Sequence, residues 1–80
     1  MIITVYALYD ASLKEIYVGM TNDMDRRLRE HRRGQSSYTK KFKEFEIIFT
    51  QEYTSYAEGR KREKYLKNGS GKEFLRTLIV

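Results

Sequence analysis

An 80-residue chain without a single cysteine must hold its fold together by burial alone. No disulfide framework or thiolate zinc site can staple it, and its one histidine excludes a multi-histidine zinc centre. A metal bound here would have to be a hard cation held by carboxylate and water. The length suits one domain spanning residues 1–80. The opening MIITVYALYD has neither a basic leader nor a long apolar stretch, and no run approaches the ~20 apolar residues of a membrane span. A cytoplasmic protein without membrane contact is therefore expected.

Burial must come from periodic elements, and these can be read in order. Residues 2–9, IITVYALY, are rich in β-branched and aromatic types and predict a strand. Asp10 to Leu13 is turn-like, and residues 14–20, KEIYVGM, predict a second strand that closes a hairpin. Alternation puts Ile3, Val5 and Ala7 on one face and Thr4, Tyr6 and Leu8 on the other. In the second strand Ile16 and Val18 share a face, with Tyr17 and Gly19 opposite.

Thr21 or Asn22 is expected to cap a helix that carries Asp23 and Asp25 in its first turn and ends at Gly34. Gln35 to Lys43 is a polar, basic connector with room for a helical turn. Residues 45–51, FEIIFTQ, predict a third strand. Ser55 with Glu58 forms a capping box for a helix reaching Lys67, stopped by Asn68-Gly69. Ser70 with Glu73 suggests a second box, opening a last helix whose buried side is Phe74, Leu75, Leu78 and Ile79. The fold class expected is α+β: a small, three-stranded, largely antiparallel sheet flanked by helices, in the order β-β-α-β-α-α.

Charge points to the partner. The net charge is +5, with a pI of about 9.6. Between Arg26 and Lys43 lie Arg27, Arg29, Arg32, Arg33, Lys40 and Lys41, opposed only by Glu30. A second cluster, Arg60, Lys61, Arg62, Lys64 and Lys67, is opposed only by Glu63. Solvated helix faces explain such clusters more often than not. Two of them in a chain with seven tyrosines shift the balance toward nucleic acid.

A few polar residues fall where a solvated face does not put them. At roughly 100° per residue, Met24 and Leu28 define the apolar stripe of the first helix. His31 falls beside Met24, Arg27 lies on the edge of that face, and Arg26, Arg29 and Arg33 point away. On the next helix Tyr56, Gly59 and Leu66 define the inward side, with Glu63 among them. A carboxylate so placed needs a partner, either Arg27 in a buried ion pair or a bound cation. Tyr6 and Tyr17 can sit opposite each other across a hairpin whose turn is centred between Ala11 and Ser12. Ordinary cross-strand aromatic packing would account for that pair. Tyr38, in the basic connector, could meet a phosphate or stack on a base.

Read together, these positions resemble the GIY-YIG nuclease family. Thr4-Val5-Tyr6 stands for its first motif and Tyr17-Val18-Gly19 for its second. YVGMTNDMDRRLREH, residues 17–31, is similar to the central signature, which ends in an arginine and, four positions later, a histidine or tyrosine: here Arg27 and His31. GRKREKYLKNGSGKEFL, residues 59–75, resembles the last segment, with Glu63 before Leu66-Lys67. Thr4 replaces the leading glycine, and Met20 stands where some members, including the bacterial excision-repair incision subunit, carry a lysine.

The resemblance implies metal-dependent hydrolysis of phosphodiester bonds, with DNA favoured over RNA, structure-directed or weakly specific, as in DNA repair. Tyr6, Tyr17, Arg27, His31 and Glu63 would be the catalytic set. Glu63 would hold a single Mg²⁺ or Mn²⁺, weakly without substrate. Tyr17 or Tyr6 would activate the water, Arg27 would meet the phosphate, and His31 would relay a proton or orient a tyrosine. Gly19 would permit close backbone approach, and Arg29, Arg32, Arg33 and Lys40 would bind phosphates at a distance. A partner protein could supply affinity, as homing endonucleases and repair members attach separate DNA-binding domains or partners. The alternative is a catalytically silent nucleic-acid-binding module of the same fold. A third reading, a protein-interaction domain with merely solvated basic faces, would lack salt-sensitive DNA binding.

Overall fold

A computed structural model describes residues 1–79. Strands β1 (Ile3–Asp10) and β2 (Glu15–Thr21) form a hairpin, followed by helix α1 (Met24–Arg32) and a 3-10 turn at Thr39–Lys41. Strand β3 (Phe45–Tyr53) and helices α2 (Tyr56–Leu66) and α3 (Gly69–Arg76) complete the chain. Both strand pairings are antiparallel, in the spatial order β2-β1-β3. The α+β architecture and the element order are those expected from the sequence.

The central strand explains its own composition. β1 is covered on both faces, so apart from Thr4 and Asp10 both of its side-chain sets are apolar or aromatic. Val5 and Ala7 pack with Val18, Leu66 and Leu75 beneath α2 and α3. Tyr6 and Leu8 pack on the other face with Phe42, and Met24 and Leu28 of α1 close that side. The register between β1 and β3 slips at Ala7/Leu8. Ile48 and Phe49, adjacent in sequence, can therefore both reach the Val5 core.

The hairpin register differs from expectation. Tyr6 pairs with Gly19 and Leu8 with Tyr17, which centres the turn between Ser12 and Leu13. Lys14 takes a left-handed conformation, φ 55°, to close it. The device that sets this turn is Asp10, a fully buried carboxylate. Its Oδ1 accepts from the Ser12 hydroxyl (2.5 Å) and the Leu13 amide (3.0 Å). Its Oδ2 accepts from the amides of Lys43 (2.9 Å) and Glu44 (3.2 Å), tying the turn to the start of β3. These bonds, the Ser12 hydroxyl foremost, hold its carboxyl at about 2.

Helix ends follow local chemistry. Asp23, rather than Thr21 or Asn22, caps α1 by accepting from the Arg26 amide at 3.0 Å. Thr21 is occupied instead with the Asp23 amide. Past the helix, Gly34 takes φ 73°, the left-handed terminator expected of it. Ser55 caps α2 as read. The second capping box does not form: α3 begins at Gly69 with Asn68 as its cap, one residue after α2's own cap at Lys67. Gly71 lies against the Tyr65 carbonyl and the Leu66 backbone, where any Cβ would collide, so α3 turns directly off the end of α2.

Two inward assignments are corrected. Tyr56 is 65% exposed and does not belong to α2's inner side, which is Gly59, Glu63 and Leu66. Only Leu75 of the expected α3 set is fully buried; Phe74 lies at the surface, and the helix ends before Leu78 and Ile79. No helix among the described residues is long and apolar enough to cross a membrane.

Candidate active site

The Tyr6 face of the sheet carries the candidate site. Tyr6 and Tyr17 are diagonal neighbours rather than opposite ones, because the true register differs from the expected one by two residues. A shift of two preserves the face, so the rings still meet, at 6.2 Å between centroids. Gly19, directly across from Tyr6, makes this possible. A Cβ there would lie 2.7 Å from the Tyr6 hydroxyl and 2.9 Å from the Tyr17 ring. On its Cβ side the space at Gly19 is filled by the two tyrosines, so the missing side chain is needed for their packing.

Helix α1 lays Arg27 and His31, one turn apart, over these rings. The His31 ring stands edge-on to Tyr17 (5.3 Å) and Tyr6 (5.7 Å). The Tyr6 hydroxyl and His31 Nε2 hydrogen-bond at 2.8 Å, and His31 Nδ1 reaches the Thr39 hydroxyl at 2.5 Å. Tyr6, His31 and Thr39 are all buried. Burial, and then the charge of Arg27, push the His31 imidazolium down to about 4. The ring is thus neutral near pH 7, with one nitrogen donating and the other accepting. Burial also pushes the Tyr6 phenol upward, more than the adjacent Arg27 lowers it. Tyr6 is therefore a protonated member of a hydrogen-bonded chain, and harder to ionise than a free phenol.

Arg27 lies beside both tyrosines. Its guanidinium donates to Glu30 at 2.8 Å and to the Ser36 hydroxyl at 3.4 Å, and its side chain is 27% exposed. Hydrogen bonding to Glu30 is the main cause holding it firmly protonated. Arg26 shares the same carboxylate at 3.8 Å. Arg29, Arg32, Arg33 and Lys40 are exposed.

Glu63 stands apart. It is buried on α2, whose Gly59 meets Ile3 and Val5 on the opposite face of the sheet. Its carboxylate accepts from Arg60 (2.5 Å) and pairs with Lys67 (3.3 Å), both on its own helix. The ion pair with Arg27 considered from the sequence does not form; each residue has its own partner. Among the described residues, no group of three His, Asp or Glu side chains could hold a metal. A single buried carboxylate still fits one magnesium-like ion that keeps its waters and takes phosphate oxygens, provided Arg60 turns away.

Two residues of this site, Thr39 and Ser36, were absent from the expected catalytic and phosphate-binding set. Thr39 and Ser36 read as polar loop residues, and only the fold shows them turned inward. Tyr38 stands 5.6 Å from Tyr17 and is 48% exposed. Its signal in the sequence was an aromatic set among serines and lysines.

Comparison with known proteins gives the same direction. The GIY-YIG catalytic domain matches residues 2–76. The chain is similar to a UPF0213 protein from Bacillus halodurans, solved by solution NMR: 30% identity, 99% of this chain and 86% of that chain covered, TM-score 0.60. Comparison with curated proteins gives no match. The matched domain implies nuclease-type chemistry and contact with nucleic acid, and such nucleases generally depend on a divalent metal. With its fold, its motifs in order and this match across nearly its whole length, the chain belongs to the GIY-YIG family.

Proposed function

We infer that this protein is a metal-dependent endonuclease that hydrolyses phosphodiester bonds in DNA, with structure-directed or weak sequence preference. The observation that carries this reading is the buried His31 ring standing edge-on to both Tyr6 and Tyr17, with Arg27 one turn before it on α1. Arg27 would donate to a non-bridging oxygen as charge develops on phosphorus. Tyr17, half-buried and next to Arg27, would orient the attacking water and take up its proton. Tyr6, His31 and Thr39 would hold Tyr17 in place and offer the proton a path. Glu63 would hold one Mg²⁺ or Mn²⁺, whose charge would stabilise the leaving oxygen. The exposed Arg29, Arg32, Arg33 and Lys40 would supply affinity without reading sequence.

One observation favours the alternative of a silent binding module. Glu63 is engaged by Arg60 and Lys67, and among the described residues neither a hydrogen bond nor an ion pair joins it to Tyr17 or Arg27. The two readings separate in a cleavage assay on branched, single-stranded and duplex DNA with Mg²⁺, Mn²⁺ or EDTA. Metal-dependent cleavage that Glu63→Ala abolishes, while DNA binding persists, is the expected result. Cleavage at the parent rate by folded Glu63→Ala would overturn the metal role. No cleavage, with salt-sensitive binding intact, would make the protein a binding module.

A further inference from the structure

We propose that Tyr38 is a base-stacking platform, and that the cationic cleft beside it, lined by Lys14, Lys72 and Arg76, takes the adjoining phosphate of a single strand. The inference rests on the nuclease reading above and narrows its substrate to nucleic acid with an unpaired base next to the bond that is cut.

Of the rings gathered over this face, Tyr6 and Phe42 are buried and Tyr17 and Phe45 half-buried. Tyr38 alone among them is left largely in solvent, at 48% exposure. It leans on Tyr17 with the ring planes 32° apart, and meets Phe42 edge-on at 6.2 Å. Its support is firm. Ser36 and Thr39 on either side are buried, Thr39 is bonded to His31, and the Lys40 amide donates to the Ser36 carbonyl at 2.9 Å. A tyrosine placed only for packing would be covered; this one is pinned by its neighbours yet 48% exposed, with the Lys41 ammonium over its ring.

Its surroundings are those of a backbone-tracking surface. Lys41 Nζ lies 4.7 Å from the Tyr38 ring centroid and pairs with Glu15 at 2.8 Å. The Tyr38 hydroxyl donates to the same carboxylate oxygen at 3.4 Å. An ammonium and a phenol thus converge on one anion at the rim of the site. A cleft of about 240 Å³ continues from there, lined by Lys14, Glu15, Ile16, Tyr38, Lys72 and Arg76. Lys72 and Arg76 are one turn apart on α3 and so share a side. An entering strand exchanges these contacts: its base replaces the Lys41 ammonium over the ring, and that ammonium moves from Glu15 to phosphate. Bases in an intact duplex are already stacked and paired, so the platform discriminates for unpaired nucleotides.

Binding in EDTA tests this without any cleavage. The chain has no tryptophan, so Tyr38→Trp introduces a single reporter. Its emission should be quenched by a short single-stranded DNA and not by the same strand made abasic. Tyr38→Ala should weaken single-strand binding about tenfold and leave blunt-duplex binding nearly unchanged, while Tyr38→Phe binds as the parent. Equal quenching by normal and abasic strands overturns the proposal, as does an equal loss on single strand and duplex. Should the alanine variant not fold, the tryptophan readout decides alone. Base-dependent binding without cleavage on any substrate would refute the nuclease reading and leave the platform standing; cleavage without base dependence would do the reverse.

Discussion

The Tyr6 hydroxyl and Nε2 of His31 meet at 2.8 Å across the interface between β1 and α1, and both side chains are buried. The bond joins the sheet to the helix at the place where the candidate catalytic groups gather. It also requires His31 to stay neutral, because burial and Arg27 both disfavour its charged form. The folded chain therefore resists a proton that the unfolded chain accepts near the ordinary value of 6.5. Stability from this source is complete above pH 6.5 and is lost as the pH falls toward 4, by up to ~3 kcal/mol. Urea denaturation from pH 7 to 4 should show that decline, and His31→Gln should flatten it. His31 is the chain's one histidine, so its ring protons give an unambiguous NMR titration. A midpoint near 6.5 in the folded protein would contradict the buried, neutral ring.

The two tyrosines should separate by function. Tyr6→Phe leaves His31 Nε2 without its partner in a buried site, at a cost of about 1–3 kcal/mol. Tyr17 is half-buried and its hydroxyl makes no bond of comparable length among the described residues, so Tyr17→Phe should leave the denaturation midpoint nearly unchanged. Cleavage should respond the other way, falling by about 10²–10⁴-fold in Tyr17→Phe if that phenol handles the proton of the attacking water. Parent-level turnover in Tyr17→Phe would move the base elsewhere.

Arg27 and Arg29 stand two residues apart on α1 and face different surroundings. Arg27 adjoins both tyrosines, while Arg29 is exposed. Arg27→Ala should lower turnover by roughly 10²–10³-fold, as expected for loss of a donor to the charged phosphoryl group. Arg29→Ala should leave turnover at saturating substrate near the parent value and reduce the salt dependence of binding by about one contact. Equal effects on turnover would mean that the direction of Arg27 carries no catalytic meaning.

How far the sequence reached depends on the range of the interaction involved. Alternation in residues 2–9 and 14–20 placed Tyr6 and Tyr17 on one face, and a register error of two residues left that result intact. Helical periodicity brought Arg27 and His31 to the same side of α1. Partner choice was less legible. Glu63 found Arg60 and Lys67 at i−3 and i+4 on its own helix, where Arg27 had been considered. Thr39 and Ser36 were invisible because only the packing of the connector beneath α1 turns them inward. Asp10 read as an ordinary turn residue, since two of its four bonds come from amides more than thirty positions away.

The corner between α2 and α3 has no tolerance for a side chain at Gly71. A Cβ there would strike the Tyr65 carbonyl and the Leu66 backbone, neither of which can rotate aside as a flexible side chain would. Gly71→Ala should therefore cost about 3 kcal/mol or more by forcing the two helices apart. Gly69→Ala provides the control, because nothing lies near the space its Cβ would fill. Thermal melts of the two variants should differ clearly; similar melting points would show that α3 can pivot on Asn68 without loss.

Asp10 governs the acid limb of stability, below the range of His31. Its carboxyl is held at about 2 in the folded chain against an ordinary 3.8, by the Ser12 hydroxyl first and then by three backbone amides. The charged form is the one that the fold binds, so its contribution is present above pH 3.8 and disappears as the pH falls through 2. Denaturant midpoints should drop again between pH 4 and 2, after the decline belonging to His31 has ended. Asp10→Asn keeps one carbonyl acceptor and removes its titration, so it should lower stability at pH 7 and reduce the dependence between pH 4 and 2, leaving the share that belongs to Glu30. The same variant should loosen the hairpin turn and the start of β3 together, visible as faster amide exchange at Leu13, Lys43 and Glu44. Faster exchange at Leu13 alone would mean that Asp10 sets the turn without tying it to β3.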